Sequence, residues 1–430
     1  MGIMMNKIKY LILILVLIIT LIGCNNENTE QAVTSEDELI KEYLQKNYSE
    51  IDLKDENEFK DLEIMDSDLK GKEIFFTAEM HGVKANAELE MKFLKYFKEK
   101  ADFKYYLLEN SYSNAHFINK YLDTGDIQIL EEMYEPLKGT FAWNKDGYNH
   151  WKKLYEYNKS LPKSKKIKVI GVDIEHSTAN AYKFLLDVLP KKEIPEQIKE
   201  SVENIQNTFD KIDSPRDKRA FETSLKLQKD IIKKESIYKE YLDENFSEFK
   251  LVNKNIIYSF EAYEHQDNQI NWNNTRDKMI YENFKCIQQE LPKGKYYGQW
   301  GMSHTYQNPH NDVKWFASYL NEEDSLFKDE ILTIVYNYDD CNQMLPLKGG
   351  SYDNNDFSFI FPEIKETNNL IDNDFNIYKL NSDGTPFSDI KMSPDFNNDK
   401  LEESMLEFFQ YIVAIRNSKA TEPLKNVEIK

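Results

Sequence analysis

Cysteine is scarce, and there is no surplus of positive charge. The three cysteines, Cys24, Cys286 and Cys341, imply no disulfide framework, and no Cys/His cluster has structural zinc spacing. Cys286 sits in a helical pattern and Cys341 in a loop after a strand, and the sequence leaves their pairing open. A net charge of −20, spread along the chain, excludes nucleic acid as a partner, because binding phosphate needs a basic face. It also argues against adsorption to anionic lipid, and most of it reads as a solubilising surface. No G-x-S-x-G elbow is present for a serine nucleophile, and no H-E-x-x-H for zinc. Asn381-Ser382-Asp383-Gly384 is a turn without the spaced acids of a calcium loop. There are no repeats and no long low-complexity tract.

A long apolar run occurs at one place, from Tyr10 to Ile22, behind Lys7 and Lys9 and ahead of Gly23-Cys24. A basic front and so short a run read as a signal peptide over 1–23 rather than a spanning helix. Leu21-Ile22-Gly23-Cys24 resembles the bacterial lipobox. That resemblance implies lipidation of Cys24 and a lipid-anchored protein on the extracytoplasmic face of the cell membrane. Residues 24–38 then read as a polar tether, reaching on the order of 40 Å at ~3 Å per residue.

The rest has the material for a core: 40% hydrophobic residues, with 27 tyrosines and 25 phenylalanines. Ser35-Glu36-Asp37-Glu38 looks like a capping box opening a short helix. Strand patterns occur at Glu73–Ala78, Tyr105–Leu108, Ile167–Val172, Tyr296–Trp300 and Ile331–Tyr336. Helical periodicity lies between the early ones, as with Ala85, Leu89, Phe93 and Phe97. This alternation predicts an α/β fold: a mostly parallel central sheet flanked by helices. The charged span 192–270 has apolar residues at helical spacing and reads as a helical insertion or cap. It divides a first part of the domain, 39–191, from a second, 271–430. An apolar segment, Leu401–Ile415, is expected to be a terminal helix docked on the sheet.

The strand ends carry the most informative residues. Glu79 and His81 come after the first strand, Glu109 after the second, Asp173 after the third and His304 after the fourth. In parallel sheets the ligand crevice lies beyond the carboxyl ends of the strands, so these groups are offered to one site. Arg276, read as lying in the first turn of a helix beginning at Asn273-Asn274-Thr275-Arg276-Asp277, supplies a fork suited to a carboxylate or an oxyanion. His116 and His150 read as ordinary residues of helices, and His176 lies near the cleft by position.

The segments AEMHG, YLLEN, IKVIGVDIEH, RDKMIYENF and YYGQWGMSH, in this order and spacing, resemble the erythromycin esterase superfamily, which also takes in ChaN-type haem-binding lipoproteins and the Tiki/TraB proteins. Glu79 and His81 match its Gly-Glu-…-His motif, Glu109 the acid after the second strand, and Asp173 the Gly-Phe-Asp position. Arg276 matches the helix Arg-Asp and His304 the last histidine of His-Asn-x-His. Ala78 replaces the family glycine, and Gly301 stands where the esterases have the first of those histidines. The resemblance implies a hydrolase of small molecules, of the antibiotic-resistance type, acting on an ester or lactone. His81 would be the base on a water, with Glu79 or Glu109 holding its ring, and the roles of His81 and His304 are exchangeable on the sequence alone. Arg276 and His304 would stabilise the oxyanion, and no cofactor is needed. Two alternatives accompany this reading. Glu79, His81, Glu109 and His304 could ligate a divalent metal. Or the protein could bind haem or another hydrophobic ligand through rings such as Phe75, Phe76, Tyr105, Tyr106, Tyr296, Tyr297 and Trp300.

Overall fold

A computed structural model describes residues 26–371, 373–393 and 400–425, with side chains from 36 onward. The expected signal peptide and Cys24 lie outside the described residues. The chain opens with α1 (Asn26–Lys46), β1 (Tyr48–Glu50), β2 (Ile74–Glu79), α2 (Ala85–Ala101) and β3 (Tyr105–Ser111). Then come α3 (Tyr112–Thr124), α4 (Ile127–Tyr134), α5 (Lys145–Ser160), β4 (Lys168–Asp173) and α6 (Thr178–Asp187). Four helices fill the span read as an insertion: α7 (Lys199–Phe209), α8 (Lys218–Lys233), α9 (Glu235–Leu242) and α10 (Phe246–Tyr263). After α11 (Gln269–Glu290) come β5 (Tyr296–Gly301), α12 (Phe316–Leu320), β6 (Ile331–Pro346), β7 (Tyr352–Phe359), α13 (Pro362–Asn368), β8 (Phe375–Lys379) and β9 (Tyr411–Arg416).

The nine strands form one sheet in the order β1-β8-β9-β6-β2-β5-β3-β4, with β7 paired to the far half of β6. From β9 to β4 every pairing is parallel, and β8 and β1 close one edge antiparallel. Period-two alternation divides the core between the faces. Phe75, Tyr106 and Tyr297 pack with α2, α3 and α5. Ile74, Phe76, Tyr105 and Trp300 turn to the other face, against Ile280, Phe284 and Ile287 of α11. Strands covered on both faces read as near-continuous apolar runs, which is why these five were legible.

Several expectations fail. The tether is not extended: helix starts at Asn26, upstream of the Ser35–Glu38 box, in a stretch with no glycine or proline to stop it. The terminal helix is not formed. A capped 3-10 turn, Met405–Glu407, leads into β9, which lies between β6 and β8. Its sequence YIVAIR is β-branched and buried, and periodicity does not separate such a run from a buried helix. Helix α11 is capped by Asn268, so Arg276 sits in its interior rather than its first turn. The Asn274 side chain turns outward instead, bonding Asp312 O and Lys314 N–H. Strand β6 runs past its expected end, carrying Cys341 inside it. Cys341 is buried, Cys286 is exposed, and both are free. Among the described residues, no helix is long and apolar enough to cross a membrane.

Candidate active site

Strand order turns a scattered set of residues into a row. Strands β4, β3, β5 and β2 are neighbours, and their carboxyl ends present Asp173, Glu109, Gly301 and Glu79 in that order. The sheet also splays there. Pairing of β3 with β5 is confined to Tyr105 and Tyr106, and β3 shifts register against β4 between Leu108 and Ser111. In the gap the Trp300 indole N–H donates to Leu107 O at 2.7 Å, and the Gly301 N–H donates to the Glu109 carboxylate at 2.6 Å. Backbone groups that leave the ladder are thereby satisfied, and a crevice opens between the strands.

Arg276 enters this crevice from α11. Its Nε and Nη2 donate to the two oxygens of Asp173 at 3.1 and 2.5 Å, Nη2 also reaches Glu109 Oε1 at 2.9 Å, and Nη1 donates to His304 Nε2 at 3.0 Å. His304 donates Nδ1–H to Asp277 Oδ1 at 2.7 Å, and that oxygen also takes the Phe316 N–H. Asp173 is fully buried. Burial alone would raise its carboxyl, but Arg276 and His176 hold it far below the usual carboxylate range. Burial likewise opposes ionisation of Glu109, and the charges of His304, Arg276 and His81 outweigh it, holding the group at about 2. For His304 burial works against the charged ring, and Asp277 and Glu109 overcome it and raise the pKa, with Arg276 opposing.

His81 stands apart from this network. Its Nδ1–H donates to Glu79 Oε1 at 2.6 Å, and its ring, beside Phe141 at 5.3 Å between centroids, is 40% exposed. Asn86 fixes Glu79 from behind: its amide donates to Glu79 Oε2 and, at 2.9 Å, to Met80 O, while Tyr338 OH donates to its carbonyl at 2.9 Å. The turn after β2 is pinned as well. Gln343 donates to His81 O at 2.6 Å, and Gly82 O accepts from the Met344 and Thr421 amides. Gly82 has φ +91°, and an added Cβ would collide with Met344 O. Burial opposes the charged His81 ring; Glu79, through charge and hydrogen bond, raises it to about 9, with Glu109 adding and Arg276 opposing.

The two groups share one cavity of about 590 Å³. A Cβ at Gly301 would lie 3.3 Å from Glu109 and 3.5 Å from both His304 and His81, which marks where the two sides meet. The insertion contributes part of the wall through Arg216 and Tyr263. His176, near the cleft as its position suggested, accepts from Tyr263 OH at 3.0 Å and donates to Asp173 at 3.1 Å.

All six residues singled out in the sequence thus come together. The metal alternative loses its ligand set: both nitrogens of His304, Nδ1 of His81 and both oxygens of Glu109 are engaged, and a guanidinium sits among them. Among the described residues, no three His, Cys, Asp or Glu side chains are placed to hold a metal. Of the seven rings expected to serve a hydrophobic ligand, only Tyr106 lines the cavity, and the others are buried in the core. Sequence reasoning missed Asn86, Asp277, Tyr338 and Gln343 as parts of the site. Asp277 had a signal, adjacency to Arg276; the others reach the site only through tertiary packing.

Residues 98–297 match the family model described as erythromycin esterase. Over that span the chain is similar to the erythromycin esterase family. The matched span contains Glu109, Asp173 and Arg276 and stops short of His304. Three solved structures share the fold. A Bacillus cereus protein aligns with TM-score 0.68 at 14% identity over 90% of this chain and 99% of its own. A succinoglycan biosynthesis protein gives 0.69 at 15%, over 90% and 98%. A mutant of the erythromycin esterase EreC in its open conformation gives 0.62 at 12%, over 88% and 99%. At these identities the likeness is one of fold alone. No curated protein matches the chain. The match over 98–297 supports a hydrolase or ligand-binding role toward a small molecule.

Proposed function

We propose that the protein is a hydrolase in which His81 activates water against an ester or lactone carbonyl. One observation carries this reading: His81 gives Nδ1–H to Glu79 at 2.6 Å while its ring stays exposed to the cavity. A carboxylate on one ring nitrogen fixes the tautomer and leaves the other as a base. Water loses its proton to His81 Nε2 as its oxygen attacks the carbonyl carbon, and Glu79 stabilises the imidazolium. The proton then passes to the departing alkoxide, giving acid and alcohol. Arg276 keeps one Nη1–H beyond its four bonds, so its aid to the oxyanion is chiefly the charge it brings. In its neutral form His304 accepts from Arg276 and so orients the guanidinium rather than donating to the oxyanion.

The test is a panel of esters and lactones offered to wild type and His81→Ala, with and without chelator. Hydrolysis that resists chelation and falls by ~10²–10⁴ in His81→Ala is expected. Because the ring titrates at about 9, its basic form grows as pH rises toward that value. The ratio kcat/KM should therefore climb from pH 6 to about 9 and then level. A flat profile across that range removes His81 as the base.

The anchored location is proposed on the lipobox-like sequence before Cys24. Labelled palmitate should enter the wild-type protein, which should sediment with membranes. In Cys24→Ala both should be lost, and a variant that still carries label overturns the assignment.

A further inference from the structure

We infer that a deeper part of the same cavity is a second binding subsite, built for a protonated amine carried by the ligand. Glu90 of α2, Tyr106 of β3, Tyr134 of α4, and His150 and Trp151 of α5 line it. Tyr106 precedes Glu109 by three residues, so this recess lies ~10 Å down the strand from the Arg276 network.

The recess holds a carboxyl group without a cation. Tyr106 OH donates to Glu90 Oε1. The partner within ion-pair distance among the described residues is His150, whose Nδ1 lies 3.4 Å from Glu90 Oε2. His150 is no cation, since burial lowers its ring to about 3. Its side chain is 2% exposed, and neither ring nitrogen makes a hydrogen bond. A buried nitrogen left this way costs on the order of 1–3 kcal/mol. Burial and the charge of Glu79 raise Glu90 to about 8, against the Tyr106 hydrogen bond. What the recess lacks is therefore a cation beside Glu90 and a donor for the unprotonated nitrogen of His150.

An ammonium group supplies both, with hydrogen bonds to spare for His150 and Glu90. The rings of Tyr106 and Trp151, crossed at 82° with centroids 5.8 Å apart, add cation–π attraction. A neutral hydroxyl gives Glu90 no charge to ionise against, and an anion is repelled by Glu79 and opposes ionisation of Glu90. Asn86, which fixes Glu79, is one helical turn before Glu90, with Cβ atoms ~5–6 Å apart. On the hydrolase reading, the substrate is then a small ester or lactone with an amine a few bonds from its carbonyl.

The test is calorimetry of the full chain with benzylamine, benzyl alcohol and benzoate. Benzylamine should bind at least tenfold more tightly than the alcohol, and benzoate should not bind. Near pH 7 the amine should displace nearly one proton from Glu90, read from binding heats in two buffers. Glu90→Gln should lose the tenfold preference and the proton release, and Glu90→Asp should keep part of both. Equal affinity of wild type for amine and alcohol overturns the subsite, as does unchanged benzylamine binding by Glu90→Gln. Should that variant not fold, the wild-type comparison decides alone. Amine binding without hydrolysis of any ester sinks the hydrolase reading and leaves the subsite standing; the converse does the opposite.

Discussion

At the scale of single residues, the two histidines differ in what surrounds them. His304 is held on both nitrogens, by Asp277 and Arg276, whereas His81 is held on one. That asymmetry is the ground for proposing His81 as the base, and the sequence, with a histidine after each of two strands, left the assignment open. Glu79 governs the pKa of His81, so replacing its charge and keeping its shape is the informative change. In Glu79→Gln the ring should fall back toward ~6.5. The rising limb of kcat/KM should move to lower pH by one unit or more while the plateau drops. A limb that stays near 9 removes Glu79 as the group that sets the ring.

At the scale of elements, the site depends on strands that part in a controlled way. Gly298 of β5 lies where an added Cβ would collide with Leu107 O and the Trp300 indole, the pair whose hydrogen bond fills the gap. Gly298→Ala should cost about 1–3 kcal/mol of unfolding free energy by urea titration and lower activity, because Gly301 and Glu109 would be pushed apart. Unchanged stability and rate would mean the gap tolerates repacking. The strands that frame the site were legible as apolar runs ending in polar residues. Strand β9 was not, because burial on both faces hides the period that separates strand from helix. Strand β7 was not either: in Tyr-Asp-Asn-Asn-Asp-Phe-Ser-Phe most residues between the ends are exposed or half-buried, and its backbone finds a partner only because β6 extends past the core.

For the whole molecule, charge organises the centre. Arg276 joins a helix on one face to the ends of β4 and β3 and to His304 after β5, so its ion pair with Asp173 ties the sheet to α11. Breaking one partner of a buried pair leaves the other uncompensated, so Asp173→Asn should destabilise by about 3–5 kcal/mol. A smaller loss would point to solvent reaching the guanidinium. Glu109, unfolded, titrates near ~4.3 and, folded, at about 2. Its contribution to stability is therefore complete above the unfolded value and is lost as pH falls from about 4 toward 2. Melting temperature measured from pH 5 to 2 should drop less steeply in Glu109→Gln than in wild type.

The sequence by itself determined the class of fold and the strands that frame the crevice, and it offered five polar groups at their ends, because strand period and strand-end chemistry are local. It could not say which groups are already spent on one another. The engagement of both His304 nitrogens, the four bonds of Arg276, the freedom of His81, and the uncompensated Glu90 beside His150 are facts of three-dimensional proximity. They arise from strand order and from α2, α5 and α11 closing on the sheet. His150, ordinary in a helical pattern, becomes notable only when burial strips it of water and the fold gives it no hydrogen bond.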